Sequence, residues 1–235
     1  MQKLSIVIPV YNEEKTLAAC VRRVLAVDLP LEKELILIND ASTDRTPQEI
    51  EKIRTEYQTA VPIKIIEHTR NMGKGAALRS GFAEATGNIF LIQDADLEYD
   101  PRDYPRLLKP ILDGRADVVY GSRFIGSEEK RVLFYWHYVG NKILTMLSNM
   151  CTNLNLTDME TCYKVFRAEV LRSFTIKSNR FGVEPELTAK IAKRKFRVYE
   201  VGISYSGRDY SEGKKNTWKD GLKALFTILR FRLRD

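Results

Sequence analysis

The chain has 235 residues, of which 44% are hydrophobic, and a formal net charge of +7 at neutral pH. These proportions are typical of one globular domain with a full-sized core, and no linker rich in glycine, serine or proline divides the chain. Three cysteines without a C-x-x-C pair and only two histidines argue against a zinc site and indicate reduced thiols in the cytosol. The first residues predict no signal peptide, and the longest uncharged stretch, 143–157, is too short to span a bilayer.

The charge is unevenly distributed along the chain. Residues 1–120 contain 16 Lys and Arg against 19 Asp and Glu, whereas residues 121–235 contain 22 against 12. A basic second half indicates a polyanionic partner, which could be phosphates, nucleic acid or anionic lipid. A solvated basic face is the alternative.

The first half alternates short β-branched segments with amphipathic helical patterns. Strands are predicted at 4–10, 34–39, 63–67, 88–93 and 117–120, and helices at 13–27, 75–85 and 103–112. Most of these strands are continuously apolar, which is typical of strands buried on both faces. The alternation predicts an α/β domain with a mostly parallel sheet flanked by helices.

Polar groups follow each predicted strand, at the sheet edge where ligands bind in such folds. The segments are Pro9–Glu13, Asp40–Asp44, His68–Asn71, Asp94–Glu98 and Gly121–Arg123. Any one of them could be an ordinary turn or helix cap. Five segments at one edge favour a binding site.

The residue types at this edge limit the classes of ligand that can bind there. Gly73-Lys74-Gly75 lacks the other residues of the known phosphate-binding loops, which argues against ATPases and dehydrogenases. Lys74, at a predicted helix N-terminus, could contact a phosphate or be a solvated lysine. Asp94 and Asp96 follow a strand and can reach one hard cation, and Mg²⁺ or Mn²⁺ is commonly bound by such carboxylates together with substrate phosphates. A capping pair of aspartates without metal is the alternative.

Four motifs in chain order resemble those of family 2 glycosyltransferases with the GT-A fold. They are Ile8-Pro9-Val10-Tyr11-Asn12-Glu13-Glu14, Asn39-Asp40-Ala41-Ser42-Thr43-Asp44, Asn71-x-Gly73-Lys74-Gly75 and Asp94-Ala95-Asp96. The chain most resembles the polyprenyl-phosphate sugar transferases, of the dolichol-phosphate mannose synthase kind. The resemblance implies one Rossmann-like GT-A domain with a mixed sheet over residues 1–215. Its nucleotide-sugar-binding half would be 1–120 and its acceptor-binding half 121–215.

The same resemblance implies roles for individual residues. Those around the base and ribose of the donor would be Pro9, Tyr11, Glu13, Ile38 and Asp40, with Asp40 reading the base. Those at the metal and the rest of the donor would be Lys74, Asp94, Ala95, Asp96 and Glu98, with Asp94, Asp96 and Glu98 as metal ligands. Those that bind phosphate would be Arg123, Arg208 and Lys214, and the catalytic residues would be Asp94, Asp96 and Arg123.

Three positions depart from the family pattern. Asn39 replaces the first acid of the usual Asp-Asp-Gly-Ser turn, and Glu98 stands where the branch usually has Gln, so that the metal preference is not inherited. The segment Asp158-Met159-Glu160-Thr161-Cys162-Tyr163 only loosely matches the Asp-Pro-x-Ser-Gly-Phe stretch, which leaves the acceptor open.

Two segments of the second half have membrane-like patterns. The aromatic segment 131–139 is typical of an interfacial helix, with a core helix or a dimer face as alternatives. The C-terminal segment 216–235 is predicted to be a basic amphipathic helix on a membrane surface. Its predicted apolar face consists of Trp218, Leu222, Leu225, Phe226, Leu229 and Leu233. A nucleic-acid-binding helix would not need such a continuous stripe, and a plain packing helix is the remaining alternative.

The acceptor chemistry separates two hypotheses. A sugar hydroxyl needs a base, for which Asp158, Glu184 and Glu186 are candidates without an assignment. A phosphate monoester is already largely ionised at neutral pH and needs cations instead. The second half supplies such cations at Arg123, Arg208, Lys214 and Lys215. A lipid phosphate is therefore favoured.

The sequence hypothesis is an inverting, Mg²⁺- or Mn²⁺-dependent transferase, peripheral at the cytoplasmic face of a membrane and without a nucleic-acid partner. It would move a hexose from a donor of the GDP-mannose or UDP-glucose type to a polyprenyl phosphate. A separate membrane-protein partner or a homo-oligomer stays open. The alternatives are a family 2 enzyme that uses a sugar hydroxyl in polysaccharide or lipopolysaccharide synthesis, and a non-catalytic nucleotide-sugar-binding or membrane-scaffold protein.

Overall fold

The computed structural model describes residues 2–126, 131–132, 134–208 and 218–233. The side chains of 218–220, 222 and 233 lie outside this description. Lys214 and Lys215 of the predicted phosphate site also lie outside the described residues, and so do the side chains of Trp218, Leu222 and Leu233 of the predicted apolar face.

Seven strands form one sheet in the order β3-β2-β1-β4-β6-β5-β7. Their bounds are β1 Lys3–Val10, β2 Glu32–Asn39, β3 Ile63–Glu67, β4 Ile89–Ile92, β5 Val118–Ser122, β6 Lys164–Arg167 and β7 Val198–Gly202. All neighbouring strands are parallel except β6, which is antiparallel to both β4 and β5. The predicted mostly parallel, mixed sheet is thus confirmed.

Helices connect the strands. Their bounds are α1 Leu17–Ala26, α2 Thr46–Tyr57, α3 Lys74–Glu84, α4 Tyr104–Leu112, α5 Tyr135–Thr152, α6 Ala168–Arg172, α7 Val183–Lys193 and α8 Trp218–Leu233. A short 3-10 helix, Pro101–Asp103, precedes α4. The five predicted strands and the three helices predicted in the first half are all present, whereas β6, β7, α2 and α6 had no prediction.

The central strands are buried because their apolar residues face helices on both sides. Four consecutive residues of β4 are buried, and β1 is buried at all but two of its eight positions. Helix α3 lies close to the sheet at Gly81, where a Cβ atom would come within 2.8 Å of the Ile38 side chain. This close packing holds the last turn of α3 against β1 and β2.

The C-terminal helix α8 packs against α5 and α7. It buries Ala224, Ile228 and Phe231, whereas Phe226 and Leu229 of the predicted apolar stripe are exposed. The helix therefore has a second apolar face that the sequence interpretation missed, and this second face is the one packed against the domain. None of the described helices is long and apolar enough to cross a membrane.

Candidate functional site

The loops after β1 and β2 are joined at the carboxyl edge of the sheet. The Ser42 hydroxyl accepts a hydrogen bond from the Asn12 amide at 3.0 Å, and the Asn12 side chain accepts one from Thr43 N at 2.8 Å. Asn12 and Ala41 both have a positive φ, of 54° and 57°. Asparagine tolerates this conformation, whereas alanine is strained there, so the joined loops hold a tight shape.

The predicted base-binding residues differ in exposure. Tyr11 is 38% exposed and Pro9 is half-buried at the edge, where they can contact a ligand. Ile38 is fully buried in the core, so it packs beneath the loops. Glu13 accepts a hydrogen bond from the Thr16 hydroxyl at 2.7 Å. Their contact with a base stays a prediction.

Asp40 binds the loop before α3. One of its carboxylate oxygens lies 2.7 Å from His68 Nδ1 and accepts a hydrogen bond from Met72 N at 2.9 Å. The other oxygen accepts one from Gly73 N at 2.7 Å. The residue is only 3% exposed. These contacts give Asp40 a loop-holding role, and reading of a base by Asp40 stays a prediction.

The Gly-Lys-Gly segment is shaped by contact with another part of the chain. Gly73 has a φ of 94°, and a Cβ atom on Gly75 would meet the carbonyl of Ser178. Ala76 N donates to Asn179 O at 3.1 Å, which joins the start of α3 to the segment before α7. These glycines therefore allow the close approach of two protein segments.

Lys74 lies between two carboxylates. Its ammonium is 2.9 Å from Asp94 and 3.3 Å from Glu184, and its side chain is 16% exposed. The solvated-lysine alternative is therefore wrong. Burial would lower the pKa of Lys74, but the charges of Asp94 and Glu184 outweigh that effect and hold the pKa above its ordinary value. Lys74 is thus a cation beside Asp94, and its contact with a phosphate stays a prediction.

Asp96 and Glu98 share one arginine. Arg208 Nη2 lies 2.9 Å from Asp96, and Arg208 Nε lies 3.2 Å from Glu98. Burial, together with the charges of Asp94 and Glu98, raises the pKa of Asp96 to about 7. The excess of acidic groups at this edge favours the binding of additional positive charge.

A divalent cation fits the chemistry of these carboxylates. Asp94 and Asp96 side chains are 22% and 18% exposed, and each already faces a cationic side chain. Within the described residues, no three His, Cys, Asp or Glu side chains are gathered so that they could hold an ion between them. The predicted set of Asp94, Asp96 and Glu98 is therefore not assembled around one point, because Arg208 and Tyr205 both contact Glu98. Ala95, between the two acids, is buried.

Arg123 forms a bidentate ion pair with Asp158. Arg123 Nε and Nη2 each lie 2.7 Å from a different oxygen of Asp158, which is fully buried. Burial would lower the pKa of Arg123, but the Asp158 charge outweighs it and raises that pKa. Since Asp158 accepts both of these bonds, its role in the structure is to orient Arg123 at the end of β5. Contact of Arg123 with phosphate stays a prediction.

The other two base candidates differ. Glu186 is fully buried, pairs with Lys190 at 2.7 Å and accepts two backbone hydrogen bonds from residues 177 and 178. Glu184 has one oxygen near Lys74, while its other oxygen, Oε2, has no hydrogen-bond partner. Of the three candidates, only Glu184 retains an oxygen that can accept a proton or a hydroxyl.

The sequence interpretation missed Tyr205 and His68. The Tyr205 hydroxyl donates to Glu98 at 2.9 Å, and its ring lies 5.3 Å from the Arg123 guanidinium carbon. Tyr205 follows β7, so a prediction of that strand would have placed it at the same edge. His68 was within a predicted edge segment, but nothing in its sequence context predicted its contact with Asp40.

The chain matches the protein-family model described as glycosyl transferase family 2 over residues 5–175. It is 27% identical to a dolichol-phosphate mannosyltransferase of Pyrococcus furiosus over 97% of this chain and 62% of the relative. It is 28% identical to an undecaprenyl-phosphate 4-deoxy-4-formamido-L-arabinose transferase of Photorhabdus laumondii over 93% of this chain and 65% of the relative. It is also 28% identical to a dodecaprenyl-phosphate galacturonate synthase of Rhizobium johnstonii over 90% and 61%, respectively.

The chain thus spans somewhat less than two thirds of these relatives. Among solved structures, it is similar to glucosyl-3-phosphoglycerate synthase of Mycobacterium tuberculosis in complex with Mn²⁺, UDP and phosphoglyceric acid. The TM-score is 0.74 with 21% sequence identity, over 98% of this chain and 78% of that protein. At this identity the similarity concerns the fold.

Proposed function

Because the chain belongs to glycosyl transferase family 2, we propose that it transfers a hexose from a nucleoside-diphosphate sugar to a polyprenyl phosphate. An oxygen of the lipid phosphate would attack the anomeric carbon as the bond from that carbon to the diphosphate breaks, and the nucleoside diphosphate would leave. One direct displacement of this kind inverts the anomeric configuration. Three relatives with different sugars in their names all have a polyprenyl or dolichyl phosphate in those names, which supports this acceptor class.

The choice of a phosphate rather than a hydroxyl acceptor rests on the ion-pair partners of the three base candidates. Asp158 binds Arg123 and Glu186 binds Lys190. Glu184 also lies 3.3 Å from Lys74, so all three candidates already have cationic partners. A phosphate acceptor needs no base, because it is largely ionised at neutral pH. Arg123 and Arg208 would hold the phosphates of donor and acceptor, since guanidinium groups bind phosphate with two donors in one plane. Lys214, outside the described residues, would add a third cation.

Asp94 and Asp96 would hold Mg²⁺ or Mn²⁺ together with the donor diphosphate. The cation would neutralise the diphosphate and so make it a better leaving group. The Mycobacterium tuberculosis neighbour, whose fold is similar, was crystallised with Mn²⁺ and UDP. Glu98 would lie beside this cation, and Lys74 would keep Asp94 in place.

An exposed apolar surface would contact the membrane. Helix α5 exposes Trp136 and Met150 at 77% and 74%, and α8 exposes Phe226 and Leu229 at 68% and 51%. Exposed apolar patches next to basic residues are typical of membrane-surface helices. Arg230, on α8, is exposed as well. We infer a peripheral position at the cytoplasmic face, where the lipid phosphate would be accessible to Arg123 and Arg208.

A donor and acceptor screen tests this function. The purified chain is incubated with Mn²⁺, radiolabelled GDP-mannose or UDP-glucose, and undecaprenyl or dolichyl phosphate in detergent, and glycolipid formation is measured. The proposal expects labelled glycolipid with inverted anomeric configuration, and none from an Asp96→Asn variant. Transfer to a soluble oligosaccharide without lipid phosphate would favour the hydroxyl-acceptor alternative. Absence of donor turnover with every acceptor would favour a non-catalytic protein.

A further inference from the structure

A cavity of about 90 Å³ lies between α5, α7 and α8. This volume is several times the roughly 10–15 Å³ that one water molecule needs, so a group of several atoms can enter. Part of its wall is apolar and consists of Ala189, Ile228 and Phe231. The ammonium of Lys190 lies 5.2 Å from the centre of the Phe231 ring, and Phe231 is 1% exposed, so packing holds this wall in place. No residue of the candidate functional site lines the cavity.

Two cationic side chains give the cavity a positively charged mouth. Lys193 and Arg232 line it and are exposed, and neither forms an ion pair within the part of the chain that the structure describes. None of the described residues that line the cavity is acidic. The nearby ammonium of Lys190 is already neutralised, because it lies 2.7 Å from Glu186. The charge around the cavity therefore favours an anionic ligand.

Ser148 supplies a hydrogen-bonding group inside the cavity. The residue is 2% exposed, and its carbonyl accepts a hydrogen bond from the Thr152 hydroxyl at 2.8 Å. The Ser148 side chain lines the cavity, and its hydroxyl has no hydrogen-bond partner among the described residues. A buried hydroxyl without a partner is unfavourable, and native proteins satisfy nearly all such groups. A ligand with acceptor oxygens would satisfy it.

The two cations also have an explanation that needs no ligand. Lys193 and Arg232 lie in the last turns of α7 and α8, where a positive charge is stabilising by itself. This explanation accounts neither for the cavity nor for the unpartnered hydroxyl of Ser148. A phosphate group accounts for all three, because its oxygens accept hydrogen bonds from an ammonium, a guanidinium and a hydroxyl alike.

The surroundings of the cavity favour a phosphate carried by a membrane lipid. Met150 precedes Cys151 of the cavity lining on α5, and Leu229 follows Ile228 on α8. The Met150 and Leu229 side chains are 74% and 51% exposed and belong to the apolar surface that would contact the membrane. A lipid whose chains contact them would have its phosphate near the mouth of the cavity, at the level of the headgroups. A free phosphate ion would gain nothing from these apolar neighbours.

We propose that the cavity between α5, α7 and α8 binds the phosphate group of an anionic membrane lipid. Lys193 and Arg232 would pair with the phosphate at the mouth, and the Ser148 hydroxyl would donate to one of its oxygens inside. The proposal rests on the membrane contact in the proposed function and adds to it a preference for one class of headgroup. It requires no change at the candidate functional site, since the two sites share no residue.

The thiol of Cys151 lines the cavity and reports its occupancy, whereas Cys20 and Cys162, 1% and 3% exposed, are internal controls. The native chain is treated with N-ethylmaleimide, with and without dihexanoylphosphatidylglycerol below its micelle concentration, and mass spectrometry follows each cysteine. This anionic lipid should slow modification of Cys151 at least about fivefold at a concentration well above its Kd. Zwitterionic dihexanoylphosphatidylcholine should slow it by less than about twofold, because its choline group would lie against the two cations.

Two pairs of substitutions distinguish the cavity from general surface charge. Lys193→Gln with Arg232→Gln removes the cations at the mouth, whereas Lys195→Gln with Arg230→Gln removes the same charge from exposed residues that do not line the cavity. Binding to phosphatidylglycerol vesicles should fall at least about tenfold further for the first pair than for the second, because charge-assisted hydrogen bonds to phosphate are lost. Ser148→Ala changes no charge and should weaken this binding about threefold to tenfold.

Equal losses for the two pairs would show that the cations act through general charge or at the helix termini alone, and would overturn the proposal. Failure of the anionic lipid to protect Cys151 would overturn it too. Equal protection by inorganic phosphate would assign the cavity to a free ion instead of a lipid. If the native chain forms glycolipid in detergent but does not bind vesicles, the transfer function stands and this proposal fails. If the vesicle and protection results are as expected but no sugar is transferred, the transfer function alone fails.

Discussion

The guanidinium of Arg208 lies 2.9 Å from the carboxylate of Asp96. This contact joins the segment after β7 to the loop after β4. It also brings Arg208, a predicted phosphate-binding residue, into contact with Asp96, a predicted metal ligand. A third acid, Glu13, lies 3.9 Å from the same guanidinium. Arg208 therefore neutralises acidic charge in the structure. When the donor binds, the cation would neutralise these carboxylates and the diphosphate would pair with Arg208.

Substitutions of Arg208 should distinguish what its positive charge contributes to kcat/KM from what its planar guanidinium contributes. Arg208→Ala should reduce kcat/KM for the donor about 10-fold to 100-fold, because the proposed charge-assisted hydrogen bonds to the donor phosphates would be lost. Arg208→Lys should restore part of this loss, since an ammonium supplies the charge without the planar fork. Steady-state kinetics with varied donor concentration measures both. Arg115→Ala, in the exposed turn after α4, is the control and should change neither constant.

Asp96→Asn should abolish transfer and stabilise the ligand-free protein. Transfer should fall at least about 1000-fold, because under the proposed function Asp96 would hold the cation that neutralises the donor diphosphate. The raised pKa of Asp96, about 7 against 3.8 for an unperturbed Asp, means that the folded state disfavours its ionised form. Stability of the native chain should therefore fall as pH rises from about 4 to about 7, and the variant should lack this fall.

Thermal unfolding at pH 5 and pH 8 measures the stability effect of Asp96→Asn. At pH 8 the variant should melt roughly 3 °C or more above the native chain, since about 1 kcal/mol shifts the Tm of a domain of this size by about 2–4 °C. At pH 5 the difference should shrink. Lower stability of Asp96→Asn at pH 8, or transfer at the native rate, would contradict the proposed role of Asp96.

Asp40→Asn tests two roles of one carboxylate. If Asp40 holds the loop through Met72 N and Gly73 N, the variant should weaken GDP and UDP binding by the same factor and lower stability by about 1–3 kcal/mol. If Asp40 reads the base, the variant should change the preference between GDP and UDP instead. Calorimetry with both nucleotides, combined with urea unfolding, distinguishes the two results.

The α/β alternation was readable from the sequence because β1, β2 and β4 are runs of consecutive apolar residues, and parallel strands have their carboxyl ends at one edge. Strand β6 was not readable, because its four residues, Lys164–Arg167, begin and end with a charged residue and so form no apolar run like that of β4. Its antiparallel insertion also depends on contacts distant in sequence. For the same reason, Arg123 was predicted as a phosphate-binding residue and Asp158 was a candidate base without an assignment, but their mutual ion pair was not predicted. Ion pairs between residues distant in sequence decide which side chains can still bind a ligand, and a local sequence pattern does not predict such pairs.

Glu34 should make the fold sensitive to acid. Its buried carboxylate has hydrogen-bonding or ion-pair partners on two neighbouring segments, namely Lys3, Ser5, Thr86 and Gly87. Burial alone would raise the pKa of Glu34, but these bonds outweigh it and lower the pKa to about 2 from 4.5. The resulting stability, about 3 kcal/mol, is present above pH 4.5 and is lost as pH falls toward 2.

Urea unfolding at pH 6, 4.5 and 3 checks the role of Glu34. Glu34→Gln should be about 3 kcal/mol less stable than the native chain at pH 6, because a buried ion pair loses one partner. The difference should diminish at pH 3, because the Glu34 carboxyl of the unfolded chain is then protonated while that of the folded chain is still largely ionised. Parallel stability curves for the two proteins across this range would show that Glu34 contributes no pH-dependent stability.

Membrane contact should depend on the exposed faces of α5 and α8. Trp136→Ser together with Phe226→Ser should reduce cosedimentation with vesicles of anionic lipid about 10-fold or more, because two large apolar side chains no longer enter the interface. Leu112→Ser, on α4 and 38% exposed, is the matched control and should bind as the native chain does. Raising the salt concentration should weaken binding of all proteins alike, since basic residues on α8 contribute through charge. Equal cosedimentation of the double variant and the control would place the membrane-binding surface elsewhere on the molecule.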